Sequence, residues 1–242
     1  GNQQRIDMPA LQAPKKISRR QELRQDAVVT ATTRLYEYID EYRTAVVGGL
    51  VVFVIAVLGY VGYVFYQSGQ GEEASGHLGS IVMVYEQGLW QEALDGTAEQ
   101  IGLIEIASRY GSTADGNLAR FYAGDALYRL GSKEEALDYF EAYRKGDDHL
   151  GASAYAAEAA IHEDLGNQER AAELYYRAAV TFENNLTSPE HLLAAARNYE
   201  AVGDYSSARE MYDAIEEDFP DADVSGGLEL YLARLDALQG AQ

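Results

Sequence analysis

The sequence predicts an all-α protein: one transmembrane helix followed by an α-solenoid of paired helices. Three observations predict it. Residues 44–67 are an uncharged apolar run of 24 residues. Beyond it, Gly131, Gly166 and Gly203 recur at separations of 35 and 37 residues, each followed at fixed spacing by an alanine and an aromatic residue. The charge is split between the two sides of the run. Residues 1–43 carry eight Lys/Arg and six Asp/Glu, a net of +2, whereas residues 44–242 carry eleven and thirty-three, a net of −22.

A chain of 242 residues holds one ordinary domain and an appendage. It contains no cysteine, which excludes disulfides, thiolate metal sites, iron–sulfur clusters and a cysteine nucleophile. A net charge of −20 repels phosphate backbones, so no nucleic-acid partner is expected.

Residues 1–28, with two prolines and the mixed-charge stretch KKISRRQELRQD, have no sustained apolar face and are expected to form a disordered basic cytoplasmic tail. Over residues 29–43, Leu35, Tyr38, Ile39 and Tyr42 share one helical face, as a juxtamembrane amphipathic helix requires. The run from Thr44 to Gln67 exceeds the roughly 20 residues needed to span a lipid bilayer. Lys15, Lys16, Arg19, Arg20, Arg24, Arg34 and Arg43 precede it, Glu72 and Glu73 follow it, and the next cation is Arg109. The positive-inside rule therefore predicts a single-pass protein with a cytoplasmic N-terminus and an extracytoplasmic domain over 72–242. Ala45, Gly48, Gly49, Ala56 and Gly59 cluster on one side of the helix, where small residues let a second helix approach closely.

The repeats read LYRLGSKEEALDYFEAY, IHEDLGNQERAAELYYRAA and NYEAVGDYSSAREMYDAI. Five residues after each glycine stands Ala136, Ala171 or Ala208, and four further on Phe140, Tyr175 or Tyr212. Glycine closes the turn between two antiparallel helices, alanine lets them cross closely, and the aromatic ring fills the space one turn later. Gly88, Trp90 and Ala93 repeat the relation in a degenerate earlier unit. The stretch TAEQIGLIEIASRYGSTADG is then an insertion with an extended second helix, and Leu228, Tyr231, Leu232, Leu235 and Leu238 mark a C-terminal capping helix. Across residues 74–222 the pattern resembles the tetratricopeptide repeat. It departs from that family at the first-helix tryptophan position, which holds Arg120, Tyr155 and Leu192.

No catalytic constellation occurs in the sequence. The four histidines make no paired-ligand spacing, His162-Glu163-Asp164 falls before a repeat turn, and no nucleophile elbow, Walker loop or dinucleotide fingerprint occurs. No catalytic residue, cofactor or metal is expected, and the chain is read as a non-enzymatic binding protein. In tetratricopeptide families the first helix of each pair lines the concave face. That resemblance implies a candidate binding face of Leu118, Phe121, Asp125, Tyr128, Glu163, Asp164, Leu193, Arg197 and Glu200.

A basic tail, one span and acidic repeats together resemble the YfgM-type ancillary subunits of the bacterial Sec translocon. The stretches ALYRLGSKEEALDYF, NLTSPEHLLAAARNYEAVGDYSSAREMYDAI and YLARLDAL look like the forms found in Bacteroidota. The resemblance implies a location in the bacterial inner membrane with periplasmic repeats. It also implies association with the SecYEG channel and with a membrane-anchored periplasmic chaperone of the PpiD type. A scaffold of another envelope complex would carry nearly the same sequence, and that alternative stays open.

Overall fold

The structure is a computed structural model that describes residues 41–240. The expected tail over 1–28 and all but the last three residues of the expected helix over 29–43 lie outside the described residues. Among the described residues there are ten α-helices, one 3-10 turn and no strand. In chain order they are α1 (Arg43–Glu86), α2 (Trp90–Asp95), α3 (Leu103–Arg109), α4 (Ala114–Arg129), α5 (Lys133–Ala142), α6 (His149–Asp164), α7 (Gln168–Thr181), α8 (Ser188–Ala201) and α9 (Tyr205–Asp218). The 3-10 turn (Asp223–Gly227) and α10 (Leu228–Gln239) complete the chain. The chain divides into two units, residues 1–64 and 65–242.

In the first unit, the apolar part of α1 presents Leu50, Phe53, Ile55 and Leu58 with more than 60% of each side chain exposed. It belongs to one helix long and apolar enough to cross a membrane. Water is a poor solvent for that surface, and hydrocarbon a good one.

The second unit is a helical-repeat-like array in which successive helices pack against one another. The first helix of each pair ends in the same way. Gly88, Gly131, Gly166 and Gly203 hold φ between +78° and +87°, the left-handed region that only glycine enters without strain. Around Gly131, its own N–H bonds the Tyr128 carbonyl (3.0 Å) and the Ser132 N–H bonds that of Leu127 (2.9 Å), which closes a Schellman cap. Gly88, Gly166 and Gly203 repeat this pair of bonds. The alanines five residues on, Ala93, Ala136, Ala171 and Ala208, are wholly buried, as close helix crossing requires. The degenerate first unit thus keeps its turn and its alanine.

The expected extended second helix of the insertion is not formed. Two short helices, α2 and α3, stand in its place, separated by a loop in which Gly96 takes φ +93° and bridges to Ile101. A Cβ on Gly102 would lie 2.1 Å from the Leu94 carbonyl oxygen, so the chain crosses itself too tightly there for a continuous helix. The capping helix does form, as α10.

Entry to the first helices is equally specified. Thr113 caps α4 by accepting from the Gly116 N–H (3.0 Å), and Asp148 caps α6 by accepting from the Gly151 N–H (2.8 Å). Those glycines, again 35 residues apart, pack directly on the preceding loop; a Cβ on either would stand 1.9 Å from a carbonyl oxygen, of Tyr110 or of Gly146. The buried apolar residues form two clusters, one from Ala74 to Ile161 and one from Ala179 to Leu235. Between them α7 buries Ala171, Ala172, Leu174 and Ala178 and packs on both α6 and α8.

Candidate functional site

The first helices α4, α6 and α8 carry the candidate face, and the structure gives most of its polar members internal partners. Tyr175 of α7 donates to Glu163 at 3.1 Å, and Tyr212 of α9 donates to Glu200 at 2.7 Å. Donor and acceptor are 12 residues apart in both cases, and the two pairs are offset by 37 residues, so this is one clasp used twice. In the preceding hairpin the aromatic is Phe140, which has no hydroxyl, and Tyr128 reaches instead into the next repeat, donating to Asp164 at 3.2 Å. Lys133 pairs with the same Asp164 oxygen at 2.8 Å. Tyr85 of α1 donates to Asp125, which also holds Arg129 at 2.5 Å. Arg234 of the capping helix pairs with Glu200, whose side chain is only 8% exposed.

Electrostatics follow from these contacts. Burial, then the Asp125 carboxylate, pushes the Tyr85 phenol up to about 12. Tyr175 and Tyr212 are raised further, by burial first and then by Glu163 or Glu200. All three remain neutral donors at physiological pH. The Lys133 ammonium holds Asp164 below the usual carboxylate range, and burial lowers His191, which stacks on Tyr175 with centroids 6.4 Å apart.

Asp125, Tyr128, Glu163, Asp164 and Glu200 are therefore tied into links within or between repeats. Leu118 and Phe121 are half-buried against the first cluster, with the Phe121 ring edge-on to Phe140 and Tyr143, and Leu193 packs on the second cluster. Arg197 is exposed, and among the described residues no carboxylate pairs with it. The nine residues lie on α4, α6 and α8, the first helices of three successive pairs, and most of their polar groups are already engaged. Among the described residues no group of three His, Asp or Glu side chains could hold a metal ion.

Two features carry no sequence signal. One is a buried ion pair: Lys145 meets Glu158 at 2.5 Å, with side chains 10% and 6% exposed. The ammonium also donates to the Phe140 carbonyl at 2.6 Å and lies over the Tyr155 ring. Tyr155 receives Arg177 on its ring as well, 4.4 Å from the centroid. The other is the loop Gly111–Thr113, whose main-chain carbonyls are held by arginines. Arg120 donates to the Gly111 carbonyl (3.0 Å), and Arg144 donates to those of Gly111 (2.8 Å), Ser112 (3.4 Å) and Thr113 (3.1 Å). Asn117 fixes Arg144 by accepting from its N–H at 2.8 Å and donating to its carbonyl at 3.1 Å.

In the apolar helix, a Cβ on Gly48, Gly49 or Gly59 would meet nothing within 4 Å, and Ala45 and Ala56 lie on that same stripe. Comparison with protein-family models, with curated proteins and with solved structures finds no match for this chain.

Proposed function

We propose that this chain is a membrane-anchored, tetratricopeptide-like adaptor that holds partner proteins and performs no chemistry of its own. The apolar run would cross the bacterial inner membrane once, with the repeats in the periplasm. One observation carries the reading. An apolar stretch of helix, with none of its residues buried, precedes an array whose four glycine-closed turns repeat one geometry. Stacked helical hairpins of this kind offer extended surfaces to other chains, and an apolar helix left uncovered by the described residues calls for lipid and neighbouring helices.

The partner class follows from the resemblance of the whole architecture to ancillary Sec translocon subunits. On that reading the stripe Ala45, Gly48, Gly49, Ala56 and Gly59 would dock beside the SecYEG channel. The repeats would hold a PpiD-like chaperone or an emerging client, using Leu118, Phe121, Leu193 and Arg197 of the inner face. In-cell cross-linking, mild solubilisation and mass spectrometry of the co-purified proteins test this. SecY recovered with a prolyl-isomerase-like chaperone supports it. A different envelope complex without SecY would replace it with a scaffold role elsewhere.

A further inference from the structure

At the end of α7 the usual order of apolar inside and polar outside is reversed. In the loop to α8, Asn184 donates to the Phe182 carbonyl (3.0 Å) and to Thr187 Oγ1 (2.8 Å). Its Oδ1 accepts from the Leu186 and Thr187 N–H groups, both at 2.9 Å. Ser188 donates to the Ala179 carbonyl at 2.8 Å and accepts from the Asn184 N–H at 3.0 Å. The polar side chains are spent on fixing the loop, while Leu186 is left 76% exposed and Phe182 44% exposed. Tyr176 and Val180, one turn apart on α7, are 42% and 53% exposed. Single exposed apolar residues are ordinary, and Leu130, Leu165 and Val202 stand singly, each before a turn glycine. A group of four on one helix end and its bonded loop marks a contact surface.

The rim of this surface identifies what covers it. Glu183 lies in the loop and Glu190 in the first turn of α8. The Phe182 ring meets His149 edge-on, with centroids 6.4 Å apart, which brings Asp147 and Asp148 to the same edge. Among the described residues no cation pairs with any of these four carboxylates. The cations nearby are taken: Arg170 by Glu173 (2.8 Å), Arg177 by the Tyr155 hydroxyl (2.8 Å) and Lys145 by Glu158 (2.5 Å). A second copy of the chain would bring the same carboxylates to the same face, and an anionic lipid surface would add further negative charge. Both are repelled at contact distance. A polypeptide segment with Lys or Arg among apolar side chains satisfies the surface and its rim together.

We propose that Tyr176, Val180, Phe182 and Leu186 form a docking surface for a polypeptide segment that is apolar and positively charged. The site rests on the reading of the array as a protein-binding adaptor, and it gives the chemistry of what the array holds.

The chain has no cysteine, so a single substitution carries a photo-cross-linker without ambiguity. Full-length Asn185→Cys and, separately, Arg197→Cys on α8 would carry benzophenone in phosphatidylcholine nanodiscs. The probes are a short synthetic peptide of Leu, Phe, Ser and Lys and its twin with Glu in place of Lys. The expected result is capture of the Lys peptide at position 185, weakened by salt, with the Glu twin captured about tenfold less well. Leu186→Ser changes a side chain too exposed to support the fold, and should weaken capture about fivefold; Phe182→Ser added to it should bring the loss to about tenfold or more. Equal capture of the two peptides, or capture unchanged in the double variant, overturns the site. Cross-linking of position 185 to a second copy of the chain also overturns it and reassigns the surface to self-association. Capture at 197 without capture at 185 overturns the site and leaves the adaptor reading intact. Capture at neither position overturns the site, and co-purification of partners from native membranes then decides the adaptor reading separately.

Discussion

Gly151→Ala should destabilise the array, although alanine is the better helix former. Relief of glycine's backbone entropy in α6 favours alanine by about 1 kcal/mol. The added Cβ, however, stands 1.9 Å from the Gly146 carbonyl oxygen, which is main chain and cannot rotate away. Separation to ordinary contact requires the loop before α6 to move by more than 1 Å, at an overpacking cost of about 1–3 kcal/mol. Gly146 follows Lys145, so the same movement pulls on the buried pair with Glu158. Loosening that pair adds part of the 3–5 kcal/mol that a broken buried pair costs. The net expectation is a loss of about 2–4 kcal/mol. For a unit of this size that is a fall in Tm of roughly 5–12 °C. Gly79→Ala is the control: it is on a helix, it has open space around the position, and it should be neutral to stabilising by up to about 1 kcal/mol. Thermal unfolding of the full chain in detergent, followed by far-ultraviolet circular dichroism and by Trp90 fluorescence, measures both. A Gly151→Ala protein as stable as the parent would refute the argument from close packing.

Lys145→Met should cost about 3–5 kcal/mol by leaving Glu158 buried and unpaired, and Lys145→Met with Glu158→Leu should recover most of it, both read by denaturant unfolding. His191 is neutral and stacked in the folded state with its pKa lowered by burial. Its stabilising contribution is therefore present above about pH 6.5 and is lost as pH falls below that value; His191→Phe should flatten the pH–stability profile there. Asp164→Asn should lower stability at neutral pH, and the difference from the parent should close as pH falls through the carboxylate range, because Lys133 holds the folded-state pKa down. A Cβ at Gly48, Gly49 or Gly59 has open space among the described residues, so reduced co-purification of SecY on their replacement by Leu would report packing against another helix. Unchanged recovery would exclude docking through that stripe.

What could be read from the sequence was local or periodic. Gly131, Gly166 and Gly203 announce themselves because a positive φ is a requirement of one residue, and Ala136, Ala171 and Ala208 because close crossing admits only a small side chain. The same 35-residue interval separates Gly116 from Gly151, where close packing on a carbonyl admits no side chain. The carboxylates were harder. Asp125, Glu163 and Glu200 look like free polar residues on a groove, and their engagement depends on tyrosines 12 to 40 residues away in sequence. Arg144 and Gln67 meet on one carbonyl of a loop whose path follows from the split of the insertion into α2 and α3, and the helical pattern of that stretch did not show the break.

The alanine-lined joint between α6 and α7 separates two apolar clusters. Alanine removes little surface from water compared with leucine or phenylalanine, so this joint contributes less hydrophobic free energy per residue than either cluster. Order in such an array propagates from neighbour to neighbour. The joint compensates by close approach: small side chains bring the α6 and α7 backbones into more extensive contact than any other helix pair among the described residues, with Ile161 and Leu174 fully buried beside them, so a larger residue at Ala171 or Ala172 would part the array at its tightest seam.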